Sequence, residues 1–382
     1  MTKSHSGGAI AALATGLLLL GACNSPSSSS GPGTSSGVST LPAAESGSSG
    51  NQESAASGSV APSAGAGSSS PQGNHKLIYI TNNPIGINEF LQLGKDGTEN
   101  AAKTYGGTAK IFESTDVVSQ KSNLDAAVAE KPDVIVLITF DFTDLSEQYA
   151  TANPDQQFLL IDACPAKPPK NLHCAVFREY EASYLVGIEA GMLTKTDKIG
   201  SVVAQDIPFL HRYSDAFAEG AKSVNPKITR SDLYIGGANP FADPAKAKEQ
   251  ALTMASTGAD QIFAVGAGSN GGIFDAAKEK NFFSYGVDIN QCPLAPGHIV
   301  DNTMKAVDVL VVDQIGRIIA GSAEAVSSYG LKEKGMDLTS LEPGAAQSQC
   351  LAATHPDVIA AVRKAKQQIV DGTLTIKDPA AG

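Results

Sequence analysis

The sequence predicts an α/β protein of two doubly wound lobes, each built on a parallel sheet, with a ligand cleft between them. Three observations lead there. From Lys76 onward, short apolar runs rich in β-branched residues alternate with stretches of helical periodicity. Residues 133–139 (DVIVLIT) are almost continuously apolar, as a strand buried on both faces of a parallel sheet requires. The alternation comes as two successive series of several units each, and a β-α-β series winds into a parallel sheet covered by helices.

The first series opens with strand 77–81 (LIYIT) and the turn Asn82-Asn83-Pro84-Ile85-Gly86. A helix follows over 88–105, with Phe90, Leu93, Gly97 and Ala101 on one face. Strand 110–112, helix 121–131, strand 133–139, helix 145–152 and strand 157–162 complete it. The second series has helix 180–193, strand 198–204, helix 213–224 ended by Asn225-Pro226, and a strand within 231–237 (SDLYIGG). Asp243-Pro244 starts the next helix with an N-cap side chain and a proline at the first helical position; Gly258 lies just beyond its end. Residues 261–288 then read as strand, glycine-rich turn, helix and strand. Strand 298–302 leads into a helix with Met304, Val307, Val311, Ile315 and Ile318 along one stripe. The expected lobes are 76–178 with 297–325, and 179–296 with 326–382.

Ahead of the folded body, Lys3 precedes the apolar run 9–20 (AIAALATGLLLL), which is too short to span a membrane comfortably. It ends Leu20-Gly21-Ala22-Cys23, which resembles the lipobox of bacterial lipoproteins. That resemblance implies a signal peptide over 1–22, a lipid on Cys23 and an extracytoplasmic, membrane-anchored chain. The alternative is an ordinary secretory signal with an incidental cysteine. Residues 23–75 are dominated by Ser, Gly, Ala and Pro, a composition that buries too little apolar surface to offset ordering, so a flexible tether is expected.

Export gives the remaining cysteines a meaning. Cys164, Cys174, Cys292 and Cys350 are an even set in an oxidising compartment, which suggests two disulfides. Three pairings are possible. The favoured one closes the proline-rich loop Cys164–Cys174 and leaves Cys292–Cys350 to tie the tail back. No CxxC or clustered histidines suggest a metal site, and no cofactor is expected. The net charge of −11, without a long basic run, argues against a nucleic-acid partner.

Gly266-x-Gly268-x-x-Gly271 follows an apolar strand and opens a helix, and Asp288 lies about twenty residues on, which is the spacing of a dinucleotide fingerprint. An exported oxidoreductase would need its cofactor outside the cytoplasm, and the motif would sit in the second lobe. The physical content of the turn is broader: glycines and a helix N-terminus bring backbone donors to any oxygen-rich ligand. In open α/β sheets ligands bind beyond the carboxyl ends of the strands. The candidates are therefore Asn82, Phe140, Asp141, Asp162, Asp206, the Gly266–Gly271 loop and Asp288.

Between Lys76 and Gly372 the chain resembles the basic membrane protein family of substrate-binding lipoproteins, whose characterised members are purine-nucleoside receptors of ABC transporters. The blocks KIGSVVAQDIPFLHRYSDAFAEGAKSVNP, DPAKAKEQALTMASTGADQIFAVGAGSNGGIFDAAKEK, YGVDINQ and NTMKAVDV carry the resemblance. It implies a type I periplasmic-binding-protein-like fold. It also implies that Asp288, in Gly286-Val287-Asp288, and Lys305 hold ribose hydroxyls, a pairing suited to charge-assisted bonds. A plain Asp288–Lys305 salt bridge pinning the turn is the competing reading. Phe90 and Phe241 match the aromatic pair that sandwiches the base, and Asp162 matches a carboxylate at the purine edge.

The family's first motif, Thr-Asp-x-Gly-x-x-Asp-x-Ser-Phe, is altered to Thr81-Asn82-Asn83-Pro84-Ile85-Gly86-Ile87-Asn88-Glu89-Phe90. Asn82 offers both donor and acceptor, and Glu89 could accept from an exocyclic amine. The ribose end is kept and the base end changed. The expected protein is a monomeric receptor that passes a nucleoside-like small molecule to an ABC permease and its ATPase subunits. The rival functions are an exported nucleoside hydrolase and a sensory receptor on the same fold; no GxSxG, HExxH or Cys–His pattern supports the hydrolase.

Overall fold

The computed structural model describes residues 73–381. The expected signal peptide, Cys23 and nearly all of the tether lie outside the described residues. The first sheet contains β1 (His75–Ile80), β2 (Gly107–Phe112), β3 (Val134–Ile138), β4 (Gln157–Ile161), β5 (Leu172–Phe177) and β11 (Val326–Tyr329). The second contains β6 (Lys198–Val203), β7 (Thr229–Tyr234), β8 (Gln261–Val265), β9 (Phe283–Asp288), β10 (Ile299–Lys305) and β12 (Met336–Leu338). Their orders are β11-β5-β4-β3-β1-β2 and β12-β10-β9-β8-β6-β7. These are two doubly wound α/β lobes, parallel throughout except for the antiparallel edge pair β10–β12.

Each sheet is covered on both faces. Helices α1 (Glu89–Tyr105), α2 (Val117–Glu130), α3 (Thr143–Ala152) and α8 (Val307–Ile319) pack on the first lobe. Helices α4 (Glu179–Leu193), α5 (Pro208–Val224), α6 (Pro244–Ser256), α7 (Asn270–Lys280) and α9 (Pro356–Val370) pack on the second. This is why β3 is buried at every residue: Ile135 and Leu137 join Leu124 and Phe158 on one face, while Val134, Val136 and Ile138 meet the α1 side. No described helix is long and apolar enough to cross a membrane.

The chain passes between lobes three times, after β5, after β10 and after β11. The expected lobe assignment is corrected at two places. Residues 299–305 belong to the second lobe, because β10 lies parallel to β9, and the chain crosses only after Lys305. Residues 326–329 belong to the first, as β11 pairs with β5. Both strands immediately precede a crossover, where the helix next in sequence does not pack on the same sheet. Strands β5, β11 and β12 and helix α9 had no counterpart in the sequence reading.

Helices α4 and α5 approach closely because glycines face each other's backbone. A Cβ on Gly187 would stand 2.1 Å from Phe217 O, and one on Gly220 would stand 2.0 Å from Tyr184 O. The same pairing brings Glu179, at the start of α4, beside Arg212 in the first half of α5.

The disulfides join Cys164 to Cys174 and Cys292 to Cys350, across 10 and 58 residues. Chain entropy makes the longer loop the more stabilising, about 4 kcal/mol against about 3 kcal/mol. Paired Cys→Ala replacements followed by urea denaturation should preserve that order; a larger loss from Cys164/Cys174 would contradict it.

Candidate functional site

The carboxyl ends of both sheets face the same cleft, whose cavity volume is about 60 Å³. Four cleft residues, each just beyond or at the end of a strand, have left-handed backbone: Thr139 (φ 82°), Asp162 (φ 79°), Ala267 (φ 47°) and Asp288 (φ 70°). Such conformations cost on the order of 1–3 kcal/mol each and persist where surrounding structure enforces them, typically at binding sites.

Lys305 forms the floor. It is 3% exposed, and its Nζ donates to Asp162 Oδ1 at 2.5 Å and to the Tyr213 hydroxyl at 3.2 Å. Glu179 Oε1 lies 3.0 Å from the same nitrogen but lacks hydrogen-bond geometry, so it acts as a charge partner. The Phe177 and Phe90 rings lie 4.8 and 4.9 Å from Nζ, close enough for cation–π attraction. Burial alone would favour the neutral amine. Asp162, Tyr213, Glu179 and Asp288 outweigh it and hold the ammonium pKa well above its ordinary value. Arg212 extends the network, 3.5 Å from Glu179 and bidentate to Asp378 at 2.8 and 3.0 Å. Burial pushes the Glu179 carboxyl up, against the opposing pull of Lys305.

Asp288 is different. Its carboxylate is 6% exposed, yet no donor among the described residues hydrogen-bonds it. Burial raises its pKa to about 7 against the attraction of Lys305, with Asp162 and Glu89 adding to the rise. Lys305 is therefore committed to Asp162 and Glu179, and the alternative of an Asp288–Lys305 salt bridge does not hold.

The walls are aromatic. Phe140 of the first lobe meets Phe209 and Phe241 of the second, with ring centroids 5.3 and 6.3 Å apart. Above them Asn82 is oriented by Asp141, which accepts from its Nδ2 at 2.6 Å. That leaves Asn82 Oδ1 buried without a partner among the described residues, as is the Thr139 hydroxyl. Both residues line the cleft.

Of the site residues expected from sequence, Asn82, Phe90, Asp162, Phe241, Asp288 and Lys305 line this one cleft. Asp162, expected at a purine edge, has one oxygen occupied by Lys305. Gly266 does not reach the cleft; its N–H donates to Asn270 Oδ1, and its Cα faces Ile235. Gly268 packs against Ile87, and Glu89 bonds to Gln291, so both face an adjoining groove. Asp206 is exposed beside His211. The sequence reading missed Thr139, Glu179, Phe209, Arg212 and Tyr213. Pro208 was the available signal for three of them: as a first helical residue it starts α5 ahead of Phe209, Arg212 and Tyr213.

The family model of ABC transporter substrate-binding proteins, PnrA-like, matches residues 79–372. The chain belongs to this family. A relative from Listeria monocytogenes, named CD4+ T-cell-stimulating antigen, is 29% identical over 301 residues, covering 75% of this chain and 82% of its own. The ABC transporter nucleoside-binding protein BmpA of Lactococcus lactis is 28% identical over 299 residues, covering 73% of this chain and 81% of its own. A crystallised ABC transporter solute-binding protein from Aeropyrum pernix superposes with TM-score 0.71 at 26% identity, over 80% of this chain and 94% of that one. The two lobes and the cleft between them are thus those of a PnrA-like substrate-binding protein.

Proposed function

We propose that this substrate-binding protein captures a nucleoside, with a purine nucleoside favoured, and delivers it to an ABC permease from a lipid anchor on the extracytoplasmic side. The observation that carries the ligand class is Asp288: a buried carboxylate with no donor among the described residues, beside an ammonium, in an aromatic-walled cleft. A vicinal diol supplies two donors to such a carboxylate, and a flat heterocycle suits the Phe140, Phe209 and Phe241 walls. Asn82 Oδ1 and the Thr139 hydroxyl offer an acceptor and a donor for a base edge. The relative named nucleoside-binding protein, and Pyrococcus relatives named lipoproteins, support the ligand and the anchor respectively.

Titration calorimetry with inosine, adenosine, free ribose and free base tests the reading. A nucleoside should bind best and, at a hundredfold excess over Kd, stabilise the protein by about 2.7 kcal/mol. The nucleoside should be recovered intact by chromatography. Failure of every nucleoside to bind would remove the ligand assignment, and release of free base would make the protein a hydrolase. Mass spectrometry of membrane-extracted protein should find a lipid on Cys23; an unmodified thiol there would remove the anchor.

A further inference from the structure

Beside the ligand pocket, the lobes meet along a seam of their own. Residues 86–89, leading into α1, face the loop between β8 and α7. The approach is tight: a Cβ on Gly268 would stand 2.9 Å from both the Cγ1 and the carbonyl oxygen of Ile87. One polar bond spans this seam, from Gln291 Nε2 of the second lobe to Glu89 Oε2 of the first, at 2.6 Å.

Gln291 is held ready for that bond. Its Oε1 accepts from Asn270 Nδ2 at 3.1 Å and from Val287 N at 3.2 Å, while its own backbone N–H donates to Asn302 Oδ1 at 3.3 Å. Two donors on Oε1 fix which way the amide points, leaving Nε2 as the free donor toward the first lobe. The next residue, Cys292, is tied to Cys350, so the turn carrying Gln291 is anchored from both sides.

We propose that Glu89 and Gln291 form a latch that holds the two lobes closed, acting as a positioning pair and not as ligand contacts. The bond can exist only when the lobes are together, and such a bond shifts the open–closed equilibrium by its net strength. Both partners belong to the protein, so the latch works with any ligand and with none. Burial raises the Glu89 carboxyl pKa and the Gln291 bond only partly opposes it; the acidic groups on that side are Asp288, whose own pKa Glu89 raises, and Asp275, which lines the same groove. A neutral acceptor at position 89 can therefore keep the bond without the cost of burying a charge.

Pulsed electron paramagnetic resonance, with spin labels at exposed Lys121 of the first lobe and Glu219 of the second, reads lobe separation in ligand-free protein. Glu89→Ala and Gln291→Ala should each lower the closed-to-open ratio roughly tenfold, the scale of a hydrogen bond to a charged group. Glu89→Gln should keep the wild-type distribution. Unchanged distances in Glu89→Ala would overturn the latch, as would Glu89→Gln opening as far as Glu89→Ala. Because no ligand enters the measurement, a failed nucleoside assignment leaves this result unaffected.

Discussion

Replacing Lys305 with alanine is expected to cost about 3–5 kcal/mol of folding stability, the range seen when one member of a buried ion pair is removed. The sequence reading implies something else: an ammonium that meets ligand hydroxyls could be removed with little change to the empty protein. The geometry argues against that. Nζ is bonded to Asp162 and Tyr213 and lies within ion-pair distance of Glu179, all of them buried. Removing it leaves two carboxylates in a low-dielectric floor with only Arg212 nearby. Asp162, just beyond β4, and Lys305, at the end of β10, also belong to different lobes, so their bond ties the lobes at the base of the cleft.

Urea denaturation of the ligand-free variant measures the effect directly. The loss should be largest near pH 8 and shrink toward pH 4, because protonating the stranded carboxyls removes their penalty. Lys305→Arg should not restore stability, since a planar guanidinium cannot occupy the space of a point-like ammonium between Phe90 and Phe177. A loss below about 1 kcal/mol would show that Asp162 and Glu179 do not depend on Lys305.

That network marks where sequence reasoning stops. The strands were legible because residues such as Val134–Ile138 must be apolar on both faces, and strand ends pointed to Asn82, Asp162 and Asp288 without any coordinates. The bond from Lys305 to Asp162 spans 143 residues, and the two meet because the strand ends of both lobes face one cleft. Glu179 was hidden for a related reason: in sequence it is one of two acids at the start of an apolar helix, and the glycine contacts between α4 and α5 turn it toward Arg212. The glycine motif was visible but ambiguous. Gly266 and Gly268 serve loop geometry and lobe contact, which place the same demand on the backbone as closeness to a ligand.

Asp288→Asn should make the empty protein more stable at pH 8 while weakening nucleoside binding about a hundredfold. The carboxyl titrates at about 7 in the folded protein against an ordinary value of 3.8. Folding therefore strengthens its hold on a proton. Its favourable contribution is fully present below about pH 4 and is lost as pH rises to about 7, staying constant above. At about 1.36 kcal/mol per tenfold change in proton affinity, the loss is on the order of 4 kcal/mol as an upper bound. Asparagine carries no such proton and tolerates the left-handed backbone that Asp288 adopts at φ 70°. Thermal denaturation should thus find the variant and the wild type alike at pH 4 and the variant ahead at pH 8. An identical pH dependence in both would mean that Asp288 is ionised at ordinary acidity.

Binding should change in the opposite sense. A ligand hydroxyl that donates to the carboxylate needs it ionised, so below about pH 7 the proton and the nucleoside compete for Asp288. Wild-type affinity should fall by up to tenfold for each pH unit below that point, while the weak residual binding of Asp288→Asn should stay flat. Two hydrogen bonds to a charged acceptor, at about 1.5–3 kcal/mol each, are enough for the hundredfold difference at pH 8. A variant that gained stability and kept full affinity would place the recognised hydroxyls elsewhere in the cleft. The buried charge costs the empty fold stability, and only a ligand with donors to offer offsets that cost.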